Sequence, residues 1–322
     1  MTHVREQFRR ARRPLPPASV SDLEVVAHRG STAEAPEHTL AAYRHAAAIG
    51  AHGVEVDVRM TRDGVLVCVH DRRVRHTSNG RGVVSALRLD ELEQFHFGAR
   101  RPVRLNRWAD DEITAVTDEP DVEDGLVLTL DRLLEYATAT PGSVRLAIET
   151  KHPTRHTRKV EEALVDTLRR FGIVRSGTPV EWAGKPAVRV MSFSQLAVKR
   201  MRDLAPGVPT VQLVGKRLRP VRRELLAGDA MAVGPGIGLL RADPRFVADA
   251  HAAGKEVHVW TVNRTADMDF VRGLGVDAAI TDHPDELLRR IADDVPPRTA
   301  RKKQAPKPVR VMRELSRRAH SR

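Results

Sequence analysis

Short apolar runs alternate with longer amphipathic stretches along most of this chain, the pattern of strands followed by helices. Val25–His28 reads as a first strand. Thr39–Ile49 reads as a helix in which Leu40, Tyr43 and Ala47 carry the apolar pattern, with Gly50 at its C-terminus. Gly53–Val58 and Leu66–Val69 read as strands joined through Asp63-Gly64, and so short a strand–turn–strand unit signals a hairpin rather than a crossover. From Arg72 to about Gly125 the pattern weakens, apart from a helical piece near Leu89–Phe95. Beyond it, strands are expected at Arg145–Ile148, Val188–Ser192, Thr210–Val214, Ala230–Val233, Val257–Val262 and Ala278–Thr281. The helices between them fall near Leu130–Ala139, His156–Phe171, Gln195–Leu204, Pro220–Leu226, Pro244–Ala253 and Asp267–Leu274, and Pro284–Ala292 closes the domain. With the returning arm of the hairpin set aside, eight strands separated by helices remain. They predict an α/β fold, a TIM (β/α)8 barrel, with a small insertion (72–124) after the β-hairpin that follows strand 2. A doubly wound open sheet is the alternative, but no Gly-rich dinucleotide loop accompanies it.

Two of these strands carry acids where apolar residues would be expected. Positions two apart in a strand share a face, so Glu55 and Asp57 point one way while Val54, Val56 and Val58 point the other. In a barrel the valines meet the outer helices and the carboxylates face inward. The strand Leu146-Ala147-Ile148-Glu149-Thr150-Lys151 repeats the arrangement with Glu149 and Lys151. Three converging carboxylates would repel one another and suffer desolvation unless something positive neutralised them. An all-oxygen set favours one hard divalent cation, Mg²⁺ or Ca²⁺, over zinc. The plainer alternative is a buried ion-pair network with Lys151 and nearby arginines.

The hairpin brings His70 back to the level of Asp57, and His28 stands at the end of the first strand. Imidazoles suit proton exchange near neutral pH. Arg29 and Gly30 follow His28; the first offers a planar fork for phosphate oxygens and the second permits close backbone approach.

The formal net charge of +12 looks at first like a nucleic-acid signature, but its location argues otherwise. Residues 1–13 carry +4 and residues 298–322 carry +9, so the body, 14–297, balances to −1. The organisation expected is a basic Pro/Arg-rich arm over 1–22, a barrel domain over 23–295 and a basic tail over 296–322, both arms disordered. Cys68 is the sole cysteine, which excludes an intrachain disulfide. No apolar stretch follows the basic start, as an export signal would need, and no run is long enough to span a bilayer; a soluble cytoplasmic protein is expected.

Taken in order, these residues resemble the glycerophosphodiester phosphodiesterase family. The match runs from His28-Arg29-Gly30 through Ala35-Pro36-Glu37-His38-Thr39, Glu55-x-Asp57 and Asp63-Gly64 to His70-Asp71. It continues with Leu146–Lys151, Ser192-Phe193, Trp260-Thr261-Val262-Asn263 and Ala279–Pro284, covering about residues 24 to 290. Each motif alone is weak; the ordered set is specific. The resemblance implies a TIM barrel with a small insertion after the HD motif. It also implies metal ligands at Glu55, Asp57 and Glu149, and acid and base at His28 and His70. Arg29 and Lys151 would hold phosphate, and Phe193 and Trp260 would line the pocket beside the alcohol portion. Glu37 matches a supporting position, whereas His38 replaces the family's usual Asn, a change expected to alter loop hydrogen bonding and leave the chemistry intact.

The activity implied is metal-dependent hydrolysis of small-molecule glycerophosphodiesters to glycerol 3-phosphate and an alcohol. Two other readings compete. One is a lysophospholipase D acting on membrane lysolipids, since the basic tail could make weak contact with an anionic membrane surface. The other is a nucleic-acid or membrane-surface binding protein acting through its arms; these lack aromatic interleaving for base stacking, so nucleic acid is not expected as a partner.

Overall fold

The computed structural model describes residues 22–98, 125–139, 144–153, 156, 158–215, 226 and 228–294. Nine strands lie in one sheet: β1 (Glu24–Ala27), β2 (Gly53–Met60), β3 (Leu66–Cys68), β4 (Arg145–Thr150), β5 (Val188–Ser192), β6 (Thr210–Val214), β7 (Ala232–Pro235), β8 (Glu256–Val259) and β9 (Ala278–Thr281). All but β3 are parallel. The ring closes because β1 pairs with β9 on one side, Val26 opposite Ile280, and with β2 on the other, Val26 opposite Gly53. β2 outruns β1, so its free C-terminal edge is taken by β3 in antiparallel register, Val58 opposite Cys68. The Asp63-Gly64 turn between them has Gly64 at φ 93°, a conformation glycine adopts without penalty. The fold is the expected TIM barrel.

Helices α1 (Leu40–Ala48), α2 (Leu130–Ala139), α3 (Lys159–Arg170), α4 (Gln195–Leu204), α5 (Ile237–Ala242), α6 (Phe246–Ala252), α7 (Thr265–Leu274) and α8 (Pro284–Asp294) cover the outside. α1 starts where the Thr39 hydroxyl accepts the Ala42 N–H at 3.2 Å, a side-chain N-cap. The strand period of two divides the core. Val54, Val56, Val58, Leu146 and Ile148 pack outward against helices, while Val26, Ala147, Met191, Leu213 and Ile280 fill the barrel interior.

That interior is layered. Glu24, Arg145 and Arg189 form its floor, with Arg145 Nη2 3.2 Å from Glu24 and Arg189 donating to both Glu24 oxygens. An apolar middle follows, and Glu55, Asp57 and Glu149 stand at the mouth, all buried.

Several boundaries differ from expectation. β7 lies two residues later than Ala230–Val233, because Gly234-Pro235 stays in the ladder opposite Leu213-Val214 instead of ending it. A Cβ on Gly234 would sit 2.5 Å from Leu213 Cδ2, so only glycine fits without displacement. β8 stops at Val259 rather than Val262, since the Trp260 backbone turns to pair with Pro235 and Ile237. α3 begins at Lys159, not His156. Residues 174–186 form two short β-hairpins that hydrophobic periodicity did not show, with turns at Ser176-Gly177 and Ala183-Gly184 all at positive φ. The insertion, over 72–98, holds short 3₁₀ and α turns around Val69, Val74, Val84, Leu92 and Phe97. The rest of it, the terminal arms apart from Asp22, and the Pro220–Leu226 helix apart from Leu226 lie outside the described residues.

The floor cluster generates a test. Burial works to raise the Glu24 pKa, yet Arg189 and Arg145 outweigh it and hold the carboxyl below 4.5. A depressed folded-state pKa means the stabilisation is complete above 4.5 and drains away as pH falls through the folded value. Glu24→Ala strands two arginines and is expected to cost about 3–5 kcal/mol in urea denaturation at neutral pH. The difference from wild type should narrow in acid; a constant difference across pH would contradict the assignment.

Candidate active site

The β2 acids face inward beside the β4 acid because the two strands pair in register, Asp57 opposite Glu149. Their ligand oxygens lie within 4.8 Å of one another. Hydrogen-bond and charge partners reach them from three segments. Lys151, one step past β4, places Nζ 2.8 Å from Asp57 Oδ1 and 2.9 Å from Glu149 Oε1. Arg29 places Nε 3.3 Å from Asp57 Oδ2, donates its backbone N–H to Glu55 Oε2 at 3.1 Å, and is held through Nη1 by Glu37 at 2.9 Å. The third is His38, whose Nε2 lies 2.9 Å from Asp57 Oδ2 while Nδ1 lies 2.7 Å from the Tyr43 hydroxyl.

The turn that presents Arg29 is tight. Arg29 has φ 57° and Gly30 φ 89°, and a Cβ on Gly30 would approach Ala42 Cβ to 2.7 Å, so glycine is required.

These partners do not balance the acids evenly. Burial, then Asp57 and Glu149, push the Glu55 pKa well above its ordinary range despite Lys151 and Arg29. Burial and Asp57 bring Glu149 up to about 7 despite Lys151. Asp57 goes the other way: burial would raise it, but the His38 hydrogen bond, Lys151 and Arg29 hold it well below its usual range. Three hard oxygen donors with surplus negative charge suit a divalent cation. Arginines do not saturate the set, because Arg29 reaches Glu55 only through its backbone.

Two histidines flank this centre. His28 donates its Nδ1–H to Asp282 Oδ1 at 2.6 Å, and Asp282 is braced by Thr32 and Asn263. Burial, opposed by hydrogen bonds from His28, Asn263 and Thr32, leaves Asp282 at about 2, so it is a carboxylate at neutral pH. His70 Nδ1 lies 2.9 Å from Asp71 Oδ1, and the His70 carbonyl accepts two bonds from Arg59. Burial lowers the His70 pKa to about 4. Opposite the acids, Phe193 and Trp260 meet edge to face with centroids 5.4 Å apart. The indole is fixed by Nε1 donating to Gly234 O at 2.8 Å. A cavity of about 250 Å³ joins His28, Arg29, His70, Lys151, the three acids and both aromatics.

Residues 28–286 match the glycerophosphoryl diester phosphodiesterase family. The chain belongs to that family. It is 43% identical over 263 residues to a Mycobacterium tuberculosis protein named "Probable glycerophosphodiester phosphodiesterase 1", covering 81% of this chain and 89% of the relative. A Bacillus subtilis glycerophosphodiester phosphodiesterase is 29% identical over 266 residues, covering 81% and 84%. Among solved structures, an Oleispira antarctica phosphodiesterase in complex with the product sn-glycerol-3-phosphate superposes with TM-score 0.68 at 24% identity, covering 84% of this chain and 96% of that one. A Parabacteroides distasonis glycerophosphodiester phosphodiesterase gives TM-score 0.65 at 23% identity, covering 84% and 98%. At those identities the structures speak for the fold.

Of the ten residues given catalytic, metal, substrate or supporting roles in the sequence of this family member, all but Glu37 line this cavity, and Glu37 braces Arg29 from behind. His38 departs most from expectation. The altered hydrogen bonding reaches beyond the loop, because His38 is a buried partner of Asp57, in a left-handed conformation (φ 57°) that asparagine tolerates readily. Sequence reasoning named Asp71, Asn263 and Asp282 within motifs but gave them no role, and it passed over Arg59. Asp282 follows the last barrel strand directly, a place where barrel enzymes carry their chemistry, and that signal was available.

His38→Ala would leave Asp57 Oδ2 and the Tyr43 hydroxyl short of a buried partner. It is expected to destabilise the fold by about 1–3 kcal/mol in urea titrations. His38→Asn, which keeps a donor at a backbone angle asparagine accepts, should lose less than half as much; equal losses would argue that only volume matters there.

Proposed function

We propose that this protein hydrolyses glycerophosphodiesters to glycerol 3-phosphate and an alcohol, with His28 and His70 exchanging protons and Glu55, Asp57 and Glu149 holding one Mg²⁺ or Ca²⁺. The observation that carries the reading is the convergence of three carboxylates, two histidines, Arg29 and Lys151 on one cavity at the mouth of the barrel. The names of the relatives and the product bound to the Oleispira structure support the substrate class. They favour it over a lysolipid substrate or a role for the arms as binding segments.

A divalent ion held by the three acids would supply positive charge against the non-bridging phosphate oxygens as negative charge builds on them. Arg29, pinned at Glu37 and Asp57, presents its guanidinium to the same oxygens. Lys151 brings a second fixed charge and keeps Asp57 and Glu149 together. With its pKa near 4, His70 is neutral at pH 7 and so in the form that accepts a proton from the attacking water. That leaves His28 to protonate the departing alkoxide, with Asp282 fixing the ring through Nδ1. Phe193 and Trp260 offer an apolar wall to one organic arm of the diester. Among the described residues no helix is long and apolar enough to cross a membrane.

Glu55→Gln or Glu149→Gln is expected to lower turnover of glycerophosphocholine more than about a thousandfold, with loss of stimulation by added Mg²⁺ or Ca²⁺. His28→Ala and His70→Ala should each cost roughly 10²–10⁴-fold in kcat. Release of glycerol 3-phosphate is the readout. Full activity in excess EDTA would refute the ion's role, and unchanged kcat in either histidine variant would refute the proton transfers.

A further inference from the structure

The catalytic cavity has a cationic neighbour. A groove of about 240 Å³ shares Lys151 with it and is lined otherwise by Arg59, Arg72 and Ser85 among apolar residues, with no acid among its described lining. Both arginines are set in place by the fold. Arg59 lies two residues beyond Asp57 on β2 and donates from Nε and Nη2 to the His70 carbonyl at 3.0 and 2.7 Å. Arg72 stands on the insertion, where its carbonyl accepts the Val84 N–H at 3.1 Å and the next paired bond joins Val74 N to Gly82 O at 3.3 Å. The Arg72 guanidinium is exposed, and among the described residues no carboxylate pairs with it. Lys151 answers to Asp57 and Glu149, and Asp57, Asp71 and Glu149 also act on Arg59, so Arg72 brings the groove's uncommitted charge. An exposed cation at the rim of a concave place draws an anion to it.

The order of elements gives this groove a direction. The groove meets the catalytic cavity at Lys151, beside Asp57 and Glu149, whereas Phe193 and Trp260 line that cavity and not the groove. A phosphodiester has two arms. With the phosphate at the acids and one arm on the aromatic wall, the other arm leaves past Lys151 toward Arg59 and Arg72. We propose that this groove binds a second phosphate of the substrate, so that the enzyme prefers glycerophosphodiesters carrying another phosphate on the arm that passes Lys151. Arginine forks match phosphate oxygens better than they match a neutral or cationic head group. This inference rests on the phosphodiesterase reading above.

The test compares bis(glycerophospho)glycerol, in which two phosphodiesters share one glycerol, with glycerophosphocholine. Wild-type kcat/KM should be about tenfold higher for the double diester, and the preference should shrink as salt rises. Arg72→Ala should remove most of that preference through KM, leaving glycerophosphocholine kinetics within about twofold, and Arg72→Glu should reverse it. An unaltered preference in both variants, equal losses on both substrates, or a wild type that favours glycerophosphocholine would overturn the groove's role. Activity on neither diester would instead overturn the phosphodiesterase reading itself, and the groove's role with it.

Discussion

Three carboxylates buried within 4.8 Å of one another set the terms for the whole mouth of the barrel. Each charge taken from water costs several kcal/mol unless a counter-charge or hydrogen-bond donor meets it. The chain supplies those donors from segments far apart in sequence: Arg29 after β1, His38 before α1 and Lys151 after β4. They reach the acids because β1, β2 and β4 lie side by side in the ring. The compensation is uneven, with Asp57 wrapped by three partners while Glu55 and Glu149 are pushed toward protonation. That residual imbalance is the electrostatic argument for a cation at the site.

The barrel separates this chemistry from its own stability. Glu24 and its two arginines close the floor, and Val26, Ala147, Met191 and Ile280 lie between them and the acids. A layer of apolar side chains keeps two charged clusters apart in a medium where unscreened charges act strongly on each other. Loops after the strands then add what the mouth needs. The β2–β3 hairpin returns His70 to the site, and the loop after β9 brings Asp282 to His28.

How much of this was legible can be argued from single elements. β2 and β4 showed their inward acids because period two is local and every other residue is valine, leucine or isoleucine. The hairpin was legible from Asp63-Gly64. The two hairpins over 174–186 were not, because two-residue strands are too short to show a period. The shift of β7 came from Gly234-Pro235, which looks like a strand end in isolation and becomes strand when Leu213 packs over the missing side chain.

From its sequence alone the chain determined the alternation of strands and helices, the faces on which the acids lie, and the kinds of side chain available for chemistry, because each depends on neighbours a few residues away. Only tertiary structure decided which donors meet which acids. His38 reads as a loop residue and becomes a partner of Asp57 across 19 positions, while Asp282 reaches His28 across 254. Such pairings follow from ring closure and strand register, which bring distant residues within hydrogen-bond reach, and no local pattern encodes them.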